Sequence, residues 1–301
     1  MKLHILATLI ATIPVMYGCS KYKLEAPDFT VVADKTTVNV GDTIRFSFTG
    51  NPQLLYFYSG QFLNRYAPEE AKQPDDLILT FTSARAGGSQ NKQVDLLISN
   101  EFNGVYDIDN IMAAKWDTLT SEVTWGTSSA RTPSGDINLL DRIDPTKPLY
   151  VAFRYITRDQ TQNGTARNIS IYDIELKSHV EGTPVTLMSF STSQFGMYSY
   201  GNKESERSVI ATGINFRGNS AAELKTEYTE DWAVSGAITT DPNVVAVDRA
   251  ISLKLFTESS KEEYLFAYSA PGQYRAAFVG ETSNVYGSKK QVKFIDITVN
   301  P

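Results

Sequence analysis

The side chains that carry most nucleophilic and metal chemistry are scarce in this sequence. Two histidines and one cysteine occur among 301 residues, and His4 lies in the apolar N-terminal segment. A Ser-His-Asp or Cys-His catalytic unit needs a positioned imidazole base, and a zinc site needs several His or Cys ligands. The remaining histidine, His179, follows a predicted strand, and the chain has no Gly-x-Ser-x-Gly motif. The sequence therefore predicts neither nucleophilic catalysis nor a His-ligated metal.

Carboxylates are abundant, so a glycosidase stays open as an alternative. The chain has 34 Asp and Glu, and two such acids at the right separation suffice to hydrolyse a glycoside. None of them lies in a recognised glycosidase motif. We therefore predict a protein that is not an enzyme.

One acidic segment has the spacing of an oxygen-ligand site. Asp107, Asp109 and Asn110 offer oxygens at alternating positions, and oxygens are the ligands that Ca²⁺ prefers. The segment lacks the glycine and the distal glutamate of an EF-hand loop. Its two interpretations are a solvated turn and a structural calcium site, and calcium is the one cofactor that the sequence leaves open.

A glycine-punctuated aromatic segment, Phe195–Asn202, has the composition of a sugar-binding surface. Carbohydrate sites combine flat aromatic faces with amides, carboxylates or arginines, because the rings cover apolar sugar faces while the polar groups bind hydroxyls. Trp116 and Trp232 are expected to pack in the core instead. The predicted carbohydrate contacts are Tyr198, Tyr200, Trp125, Arg154, Arg158 and Asn202.

Strands must position these side chains, because the apolar pattern has a period of two. In Thr43–Thr49 every second residue is apolar, which indicates a half-buried strand. Many short runs of this kind, separated by turn residues, predict an all-β sandwich or barrel. Only Pro68–Lys72 and Ile108–Lys115 are predicted as helical turns. The other predicted strands are Leu54–Tyr58, Leu77–Ala84, Val94–Ser99, Leu149–Thr157, Ile169–Lys177, Ser208–Phe216, Glu263–Tyr268 and Tyr274–Val279.

The last predicted strand contains a change of pattern. The apolar residues Val292 and Phe294 have one parity, whereas Ile295, Ile297 and Val299 have the other. A β-bulge or a crossing between two sheets would produce this change.

The N-terminus resembles a bacterial lipoprotein signal. Lys2 precedes the apolar run Ile5–Val15, which is too short to cross about 30 Å of hydrocarbon and reads as a secretory signal. The run ends at Gly18-Cys19, which resembles a lipobox. We predict a signal peptide over residues 1–18 and a lipidated tether over 19–27, with Cys19 as the lipid attachment site. The alternative is a plain signal peptide with an incidental cysteine.

Charge restricts the partners. The chain has 28 Lys and Arg against 34 Asp and Glu, a formal net charge of −6. Nucleic acids and anionic headgroups are bound by clustered basic residues. The sequence therefore predicts no nucleic-acid partner, and membrane association through the lipid anchor alone.

Two distant segments resemble halves of a PKD-type immunoglobulin-like domain. They are VNVGDTIRFSFTG (Val38–Gly50) and YSAPGQYRAAFVG (Tyr268–Gly280). In that family the two halves lie within one short domain, whereas here a long segment separates them. The resemblance implies an immunoglobulin/PKD-like sandwich formed by residues 28–66 and 245–301, with residues 67–244 inserted as a separate domain.

The middle of the chain resembles a jelly-roll, or galactose-binding-like, β-sandwich. The segments Ser99–Gly126, Lys147–Tyr155 and Ile169–Ser178 follow the usual order of such modules. Taken whole, the chain is similar to Bacteroides-type lipoproteins of the domain of unknown function 5017 family, which resemble the accessory lipoproteins of polysaccharide-utilisation systems. The resemblance covers nearly all of the chain after the signal, and its motifs carry no catalytic residues.

The resemblance implies a non-catalytic lipoprotein of the outer membrane that binds a polysaccharide or oligosaccharide through the inserted domain. Ser20–Lys23 lacks the acidic run that resembles a surface-export signal, so the periplasmic and the cell-surface face both stay open. The alternative is an adhesion or scaffold lipoprotein that binds other envelope proteins, and the third class is a glycoside hydrolase. A fold does not determine a function.

Overall fold

The computed structural model describes residues 24–67, 71–285 and 287–301, which divide into two compact units. Unit 1 contains the described residues up to Gly60 together with Ala250–Pro301, and unit 2 is Gln61–Arg249. These boundaries lie six and five residues from the predicted ones, which are at 66/67 and 244/245. The predicted signal peptide and Cys19 lie outside the described residues. Among the described residues, no helix has the length and apolar character needed to cross a membrane.

The described chain is almost entirely β-structure, so the predicted all-β sandwich class is confirmed. Three short helices interrupt the strands: α1 (Ile108–Ala113), α2 (Gln160–Asn163) and α3 (Pro242–Val245). The strands are β1 (Phe29–Ala33), β2 (Thr37–Asn39), β3 (Thr43–Gly50), β4 (Leu54–Tyr58), β5 (Asp76–Ala86), β6 (Val94–Ser99), β7 (Asp117–Thr118), β8 (Thr132–Pro133), β9 (Ile137–Asn138), β10 (Tyr150–Thr157), β11 (Asn168–Val180), β12 (Thr183–Ser189), β13 (Gly196–Tyr200), β14 (Val209–Ile210), β15 (Ile214–Phe216), β16 (Thr229–Val234), β17 (Ile251–Lys254), β18 (Glu263–Ala267), β19 (Gly272–Asn284) and β20 (Gly287–Asn300).

Unit 1 is built from a three-stranded sheet, β1-β3-β18, and a five-stranded sheet, β17-β4-β19-β20-β2. The alternation in β3 buries Ile44 and Phe46, as the period-two pattern predicts. The Phe46 ring lies 5.7 Å from the Phe57 ring and 4.9 Å from the Phe278 ring. These aromatic contacts join residues of both sheets in one apolar core, which stabilises the unit by burial of apolar surface.

The predicted bulge or crossing in the last strand is wrong. β20 pairs with β19 in unbroken register from Gly272↔Val299 to Asn284↔Gly287. The change of parity arises because Phe294 is exposed, at 46%, while Ile295 packs against the core. The Arg275 guanidinium lies 4.6 Å from the Phe294 ring centroid, and this cation–π contact gives the exposed ring a partner.

Unit 2 contains two further sheets. The front sheet is β13-β16-β10-β6-β7, and the back sheet is β14-β15-β11-β5-β8, to which β12 and β9 also pair. Residues that face inward from both sheets form the largest apolar cluster of the described chain, which includes Phe81, Phe153 and Tyr155. The predicted strand Ser208–Phe216 is wrong in detail, since Gly213 lies in the turn of a tight hairpin between β14 and β15.

A small apolar layer covers part of the outer side of the front sheet. Phe102, Ile111 of α1 and Trp116 pack there against outward-facing residues such as Tyr150 and Val234. For this reason β10 and β16 are buried on both faces, although most antiparallel sheets are half solvated. The predicted helical turn at Ile108–Lys115 is confirmed as α1.

The second predicted helical turn, Pro68–Lys72, lies largely outside the described residues. Ala71 and Lys72, which the structure does describe, belong to no helix.

Candidate functional site

A row of large side chains crosses four strands on the outer side of the front sheet. Arg154 of β10 pairs with Asp95 of β6 and with Trp232 of β16, and Trp232 pairs with Tyr198 of β13. Paired residues of adjacent strands lie on the same face, and neighbours along a strand point to opposite faces. The neighbours of Arg154 along β10 belong to the inner core. The row therefore faces outward.

A second row of cross-strand partners lies beside the first, and it ends at side chains that are exposed to solvent. Glu230 of β16 pairs with Ile156 of β10 and with Tyr200 of β13. Tyr200 is 44% exposed, and Tyr228, two residues before Glu230, is 47% exposed. We call the outward side chains of the two rows, together with Tyr228, the aromatic face. Its members are Asp95, Arg154, Trp232, Tyr198, Ile156, Glu230, Tyr200 and Tyr228.

A buried carboxylate joins two of these rings. Glu230 is 5% exposed; its Oε1 accepts a hydrogen bond of 2.6 Å from the Tyr228 hydroxyl, and its Oε2 accepts one of 2.8 Å from Trp232 Nε1. Hydrogen bonds to an ionised acceptor are stronger than neutral ones. Glu230 therefore holds the Trp232 indole and the Tyr228 phenol in fixed orientations.

An ion pair fixes the guanidinium at the centre of the first row. Arg154 Nε and Nη2 donate to Asp95 Oδ2 over 3.1 and 2.6 Å, and the Thr120 hydroxyl donates to Asp95 Oδ1 over 3.1 Å. The Arg154 guanidinium also lies 5.4 Å from the Trp232 ring centroid, within the range of a cation–π contact. Both members of the ion pair are partly exposed. The pair therefore contributes more to the orientation of the Arg154 side chain than to the stability of the fold.

A pocket of about 250 Å³ opens between this row and the helical cover. The Trp116 and Trp232 rings lie 5.9 Å apart at its wall, and Arg154 and Glu230 supply polar groups. Each indole N–H is used: Trp116 Nε1 donates to the Ile111 carbonyl over 2.8 Å, and Trp232 Nε1 donates to Glu230. The pocket thus presents aromatic walls beside two charged groups, which is the composition of a small polar-ligand site.

The structure brings together three of the predicted carbohydrate contacts: Arg154, Tyr198 and Tyr200. The Tyr198 ring stacks on Tyr106 at 6.1 Å. Arg158 follows the end of β10, and its side chain donates to backbone carbonyls of the loop before β6.

The last two predicted contacts, Asn202 and Trp125, do not belong to the aromatic face. Asn202 lies beyond the end of β13, exposed, and its carbonyl accepts a hydrogen bond from Asn219. Trp125 lies inside the sandwich end, where its ring packs 5.5 Å from Phe81 and its Nε1 donates to the Thr120 carbonyl over 3.1 Å. Trp125 is therefore separate from the aromatic face.

Sequence reasoning missed Trp232, Glu230, Tyr228 and Asp95 as members of one surface. A signal for three of them exists, since Tyr228, Glu230 and Trp232 alternate along the chain, as side chains on one face of a strand do. Trp232 was expected in the core. It is indeed buried, at 3% exposure, but it also lines the pocket on the outer side of the sheet.

The segment proposed for calcium forms the start of α1. Asp107 is the N-cap: its Oδ1 accepts from the Asn110 backbone N–H over 2.8 Å, and the Asn110 amide donates to both Asp107 oxygens. These hydrogen bonds, the backbone one foremost, hold the pKa of Asp107 below its usual value. Asp109 is exposed in the first helical turn. A solvated turn and a calcium site remain the two interpretations of this segment.

No cluster of three or more His, Cys, Asp or Glu side chains suited to a metal ion occurs within residues 24–67, 71–285 and 287–301. A calcium ion at α1 would have to compete with the Asn110 N–H groups for the Asp107 oxygens.

Ionisation of Tyr228 should report on the Glu230 hydrogen bond. Burial, followed by the hydrogen bond and charge of Glu230, raises the pKa of Tyr228 from 10.0 to about 12. A raised tyrosine pKa favours the protonated folded form, so this stabilisation is complete below pH 10 and is lost as the pH rises towards about 12. We expect Glu230→Gln to lower the Tyr228 pKa towards 10. Titration of the tyrosinate absorbance, with Tyr228→Phe to assign the signal, measures this pKa; an unchanged pKa would contradict the geometry.

The fold and the aromatic face define an all-β protein with two sandwich units and an aromatic surface on one sheet. The chain belongs to the family described as Domain of unknown function (DUF5017), whose model matches residues 18–221. No curated protein and no solved structure matches the chain.

Proposed function

We propose that this protein is a non-catalytic cell-envelope lipoprotein that binds carbohydrate on the aromatic face of unit 2. The observation that carries the proposal is the registered row Asp95–Arg154–Trp232–Tyr198, with Tyr200 and Tyr228 exposed beside it. Sugar rings have one apolar face and a rim of hydroxyls. Such a ligand needs aromatic surface and charged or amide groups within one small area.

The rigidity of the face supports binding. Glu230 orients Trp232 and Tyr228, and Asp95 orients Arg154, through hydrogen bonds of 2.6 to 3.1 Å. Groups that are already held in place lose little side-chain entropy when a ligand arrives. A shallow sheet surface of this kind suits an extended chain such as a polysaccharide or oligosaccharide.

The state of the two carboxylates on the face favours binding over hydrolysis. Glu230 accepts from two donors, and Asp95 accepts from Arg154 and Thr120. A glycosidase needs one acid that donates a proton and another that attacks or activates water. Carboxylates committed to fixed donors are poorly suited to either role.

The cellular part of the proposal rests on the N-terminus. Gly18-Cys19 after an apolar run supports export and acylation at Cys19, and several acyl chains would hold unit 1 and unit 2 at a membrane. We propose an outer-membrane lipoprotein of a glycan-utilisation system, in agreement with the resemblance to Bacteroides-type lipoproteins.

Truncation of Tyr200 tests the proposal. In affinity electrophoresis against a panel of single polysaccharides, we expect one glycan to retard the protein. Tyr200→Ala should weaken that binding about fivefold or more, because an aromatic contact contributes about 1 kcal/mol beyond its buried area. Phe294→Ala is a matched control, since Phe294 is similarly exposed, at 46%, but belongs to unit 1. Equal loss in both variants, or no retardation by any glycan, would contradict carbohydrate binding at this face.

One feature of unit 1 favours the adhesion or scaffold alternative. Val32 and Leu265, which are 64% and 50% exposed, lie on the outer side of the three-stranded sheet, on its two edge strands. Exposed apolar residues beside open strand edges are typical of protein-binding surfaces. A protein that binds no glycan but recruits an envelope protein through Leu265 would support this second function.

A further inference from the structure

A second cavity, larger than the pocket on the aromatic face, lies at one end of the unit 2 sandwich. It has a volume of about 470 Å³, which is within the range of small-ligand sites. One wall is the end of β5, including Arg85, and another is the start of β6 with the loop before it. Trp125 and Arg167 complete the lining, and the exposed Lys92 lies at its rim. We call it the end cavity.

The charge of the end cavity is unbalanced. Arg85, Lys92 and Arg167 line it together with one acid, Asp95, and Asp95 is already paired with Arg154 over 2.6 Å. In the part of the chain that the structure describes, none of the three cations forms an ion pair. A cavity with excess positive charge favours an anionic ligand.

The two arginines are held by uncharged groups. Arg167 Nε donates to the Gln90 carbonyl over 2.7 Å, and its Nη1 donates to the Gly87 carbonyl over 3.3 Å. Arg85 Nη2 makes one long contact, 3.4 Å, to the Thr127 carbonyl, and its buried Nε has no acceptor among the described residues. A buried guanidinium N–H group without an acceptor is costly. A carboxylate bound to it would remove that cost, because the two groups match in shape and charge.

The two glutamine side chains of the cavity already have hydrogen-bond partners. Gln93 donates to the Tyr155 hydroxyl and the Ile156 carbonyl and accepts from the Arg167 backbone N–H. Gln90 likewise donates to two carbonyls and accepts from the Arg158 backbone N–H. Few amide groups are thus left for hydroxyl recognition. Charge on the arginines is the principal polar attraction that the cavity offers.

An apolar surface lies beside these cations. The Trp125 ring, fixed by its contact with Phe81 and by its hydrogen bond to Thr120, lines the cavity with Val94 and Ile169. A flat indole beside guanidinium groups suits a ring that carries a carboxylate. Acidic sugars have this combination, whereas an inorganic anion would leave the indole unused.

We propose that the end cavity is a second ligand site, which takes a carboxylated sugar such as a uronic acid residue. Arg85 and Arg167 pair with the carboxylate, and Trp125 covers the apolar face of the sugar ring. The end cavity shares Asp95 with the aromatic face, and it adds acidic glycans to the ligands proposed for unit 2.

Calorimetric titration of the whole protein with two matched ligands tests the proposal. The ligands are an oligogalacturonide and its methyl ester, which has the same ring without the charge. We expect the acid to bind at least about tenfold more tightly than the ester, because a charged hydrogen-bonded pair contributes about 1.5 kcal/mol or more. Added salt should weaken the binding of the acid. Equal affinities for acid and ester would overturn the proposal.

Substitutions locate the site. Arg85→Gln and Trp125→Ala should each reduce oligogalacturonide affinity about tenfold or more, and Arg85→Lys should retain part of it. Arg131→Gln is the control, since Arg131 is an exposed arginine of the same unit that pairs with Asp173, and this variant should bind as wild type. Thermal melts establish that each variant is folded. Unchanged binding in folded Arg85→Gln would overturn the assignment.

Two further measurements distinguish ligand binding in the end cavity from binding of other kinds or at the aromatic face. Inorganic phosphate that displaces the oligogalacturonide at equal concentration would show a general anion site and overturn the sugar assignment. Tyr200→Ala should leave oligogalacturonide binding unchanged while it weakens the glycan found for the aromatic face. Failure of the end cavity and failure of the aromatic face therefore give different results.

Discussion

Replacing Asp231 with alanine is expected to lower the free energy of unfolding of unit 2 by about 3–5 kcal/mol, the usual cost of removing one partner of a buried ion pair. Asp231 is fully buried. Its carboxylate accepts from the hydroxyls of Ser199 and Ser208, each over 2.6 Å, and from Lys203 Nζ over 2.5 Å. Asp231 therefore joins β16 to β13 and to the loop that connects β13 with β14.

The cost arises mainly from the cation left behind. The Lys203 side chain is 7% exposed, and its desolvation lowers the pKa of Lys203 although Asp231 acts in the opposite direction. Without Asp231, the ammonium would keep one carbonyl acceptor, that of Arg217. Its positive charge would be unpaired in an apolar setting.

Chemical unfolding of single and double variants measures this effect. We expect Asp231→Leu with Lys203→Met to be more stable than Asp231→Ala alone, because an apolar pair of similar size leaves no buried charge. Glu101→Ala is the control: it removes the exposed pair with Lys115 and should cost no more than about 1 kcal/mol. An Asp231→Ala variant as stable as this control would show that the buried pair does not stabilise the fold.

The second large effect is expected at Trp232. Trp232→Ala should lower the free energy of unfolding by about 3–5 kcal/mol and abolish glycan binding at the aromatic face. The ring is 3% exposed and lies 5.9 Å from Trp116, so its removal leaves a cavity in the outer apolar layer. It also removes the surface over which the Arg154 guanidinium lies.

Trp232→Phe distinguishes the contribution of the aromatic ring from that of the indole N–H group. Phenylalanine keeps an aromatic surface but leaves Glu230 Oε2 without the donor that reaches it over 2.8 Å. We expect a loss of about 1.5–3 kcal/mol, the range for hydrogen bonds to charged groups. In Trp116→Phe the lost N–H donates to a neutral carbonyl, so the cost of that hydrogen bond should be smaller, about 1 kcal/mol. Equal losses in the two variants, measured by denaturant unfolding, would be inconsistent with a charged Glu230.

Strands could be predicted where the local alternation of apolar and polar residues matches the burial of the side chains in the folded structure. Thr43–Thr49 alternates between one buried and one solvated side, so its sequence shows the period of the strand. β16 was missed for a physical reason. Its inward-facing Asp231 interrupts the apolar pattern, and the cation that compensates it lies 28 positions earlier in the chain. Local sequence cannot show a partner at that distance.

The candidate site follows the same logic. Tyr198 and Tyr200 were identifiable because glycines surround them in a segment rich in aromatic residues. Their connection to Arg154, Trp232 and Glu230 depends on the register of antiparallel strands, which is set by the whole sheet. Composition also grouped Trp125 with these residues, but only the three-dimensional structure separates the two surfaces.

The pairing of β2 with β20 has a consequence for the order in which the chain folds. Asn39 lies beside Asn300 in a parallel pair, and β4 pairs with β17 and β19. On the ribosome, all residues of unit 2 emerge before β17, whereas β2 and β4 must wait for the C-terminal strands. Such distant pairing slows folding, because closing a long loop costs conformational entropy before the strand contacts form. Unit 1 therefore closes last, and translation arrested before β17 would leave its nascent strands open to chaperones and proteases.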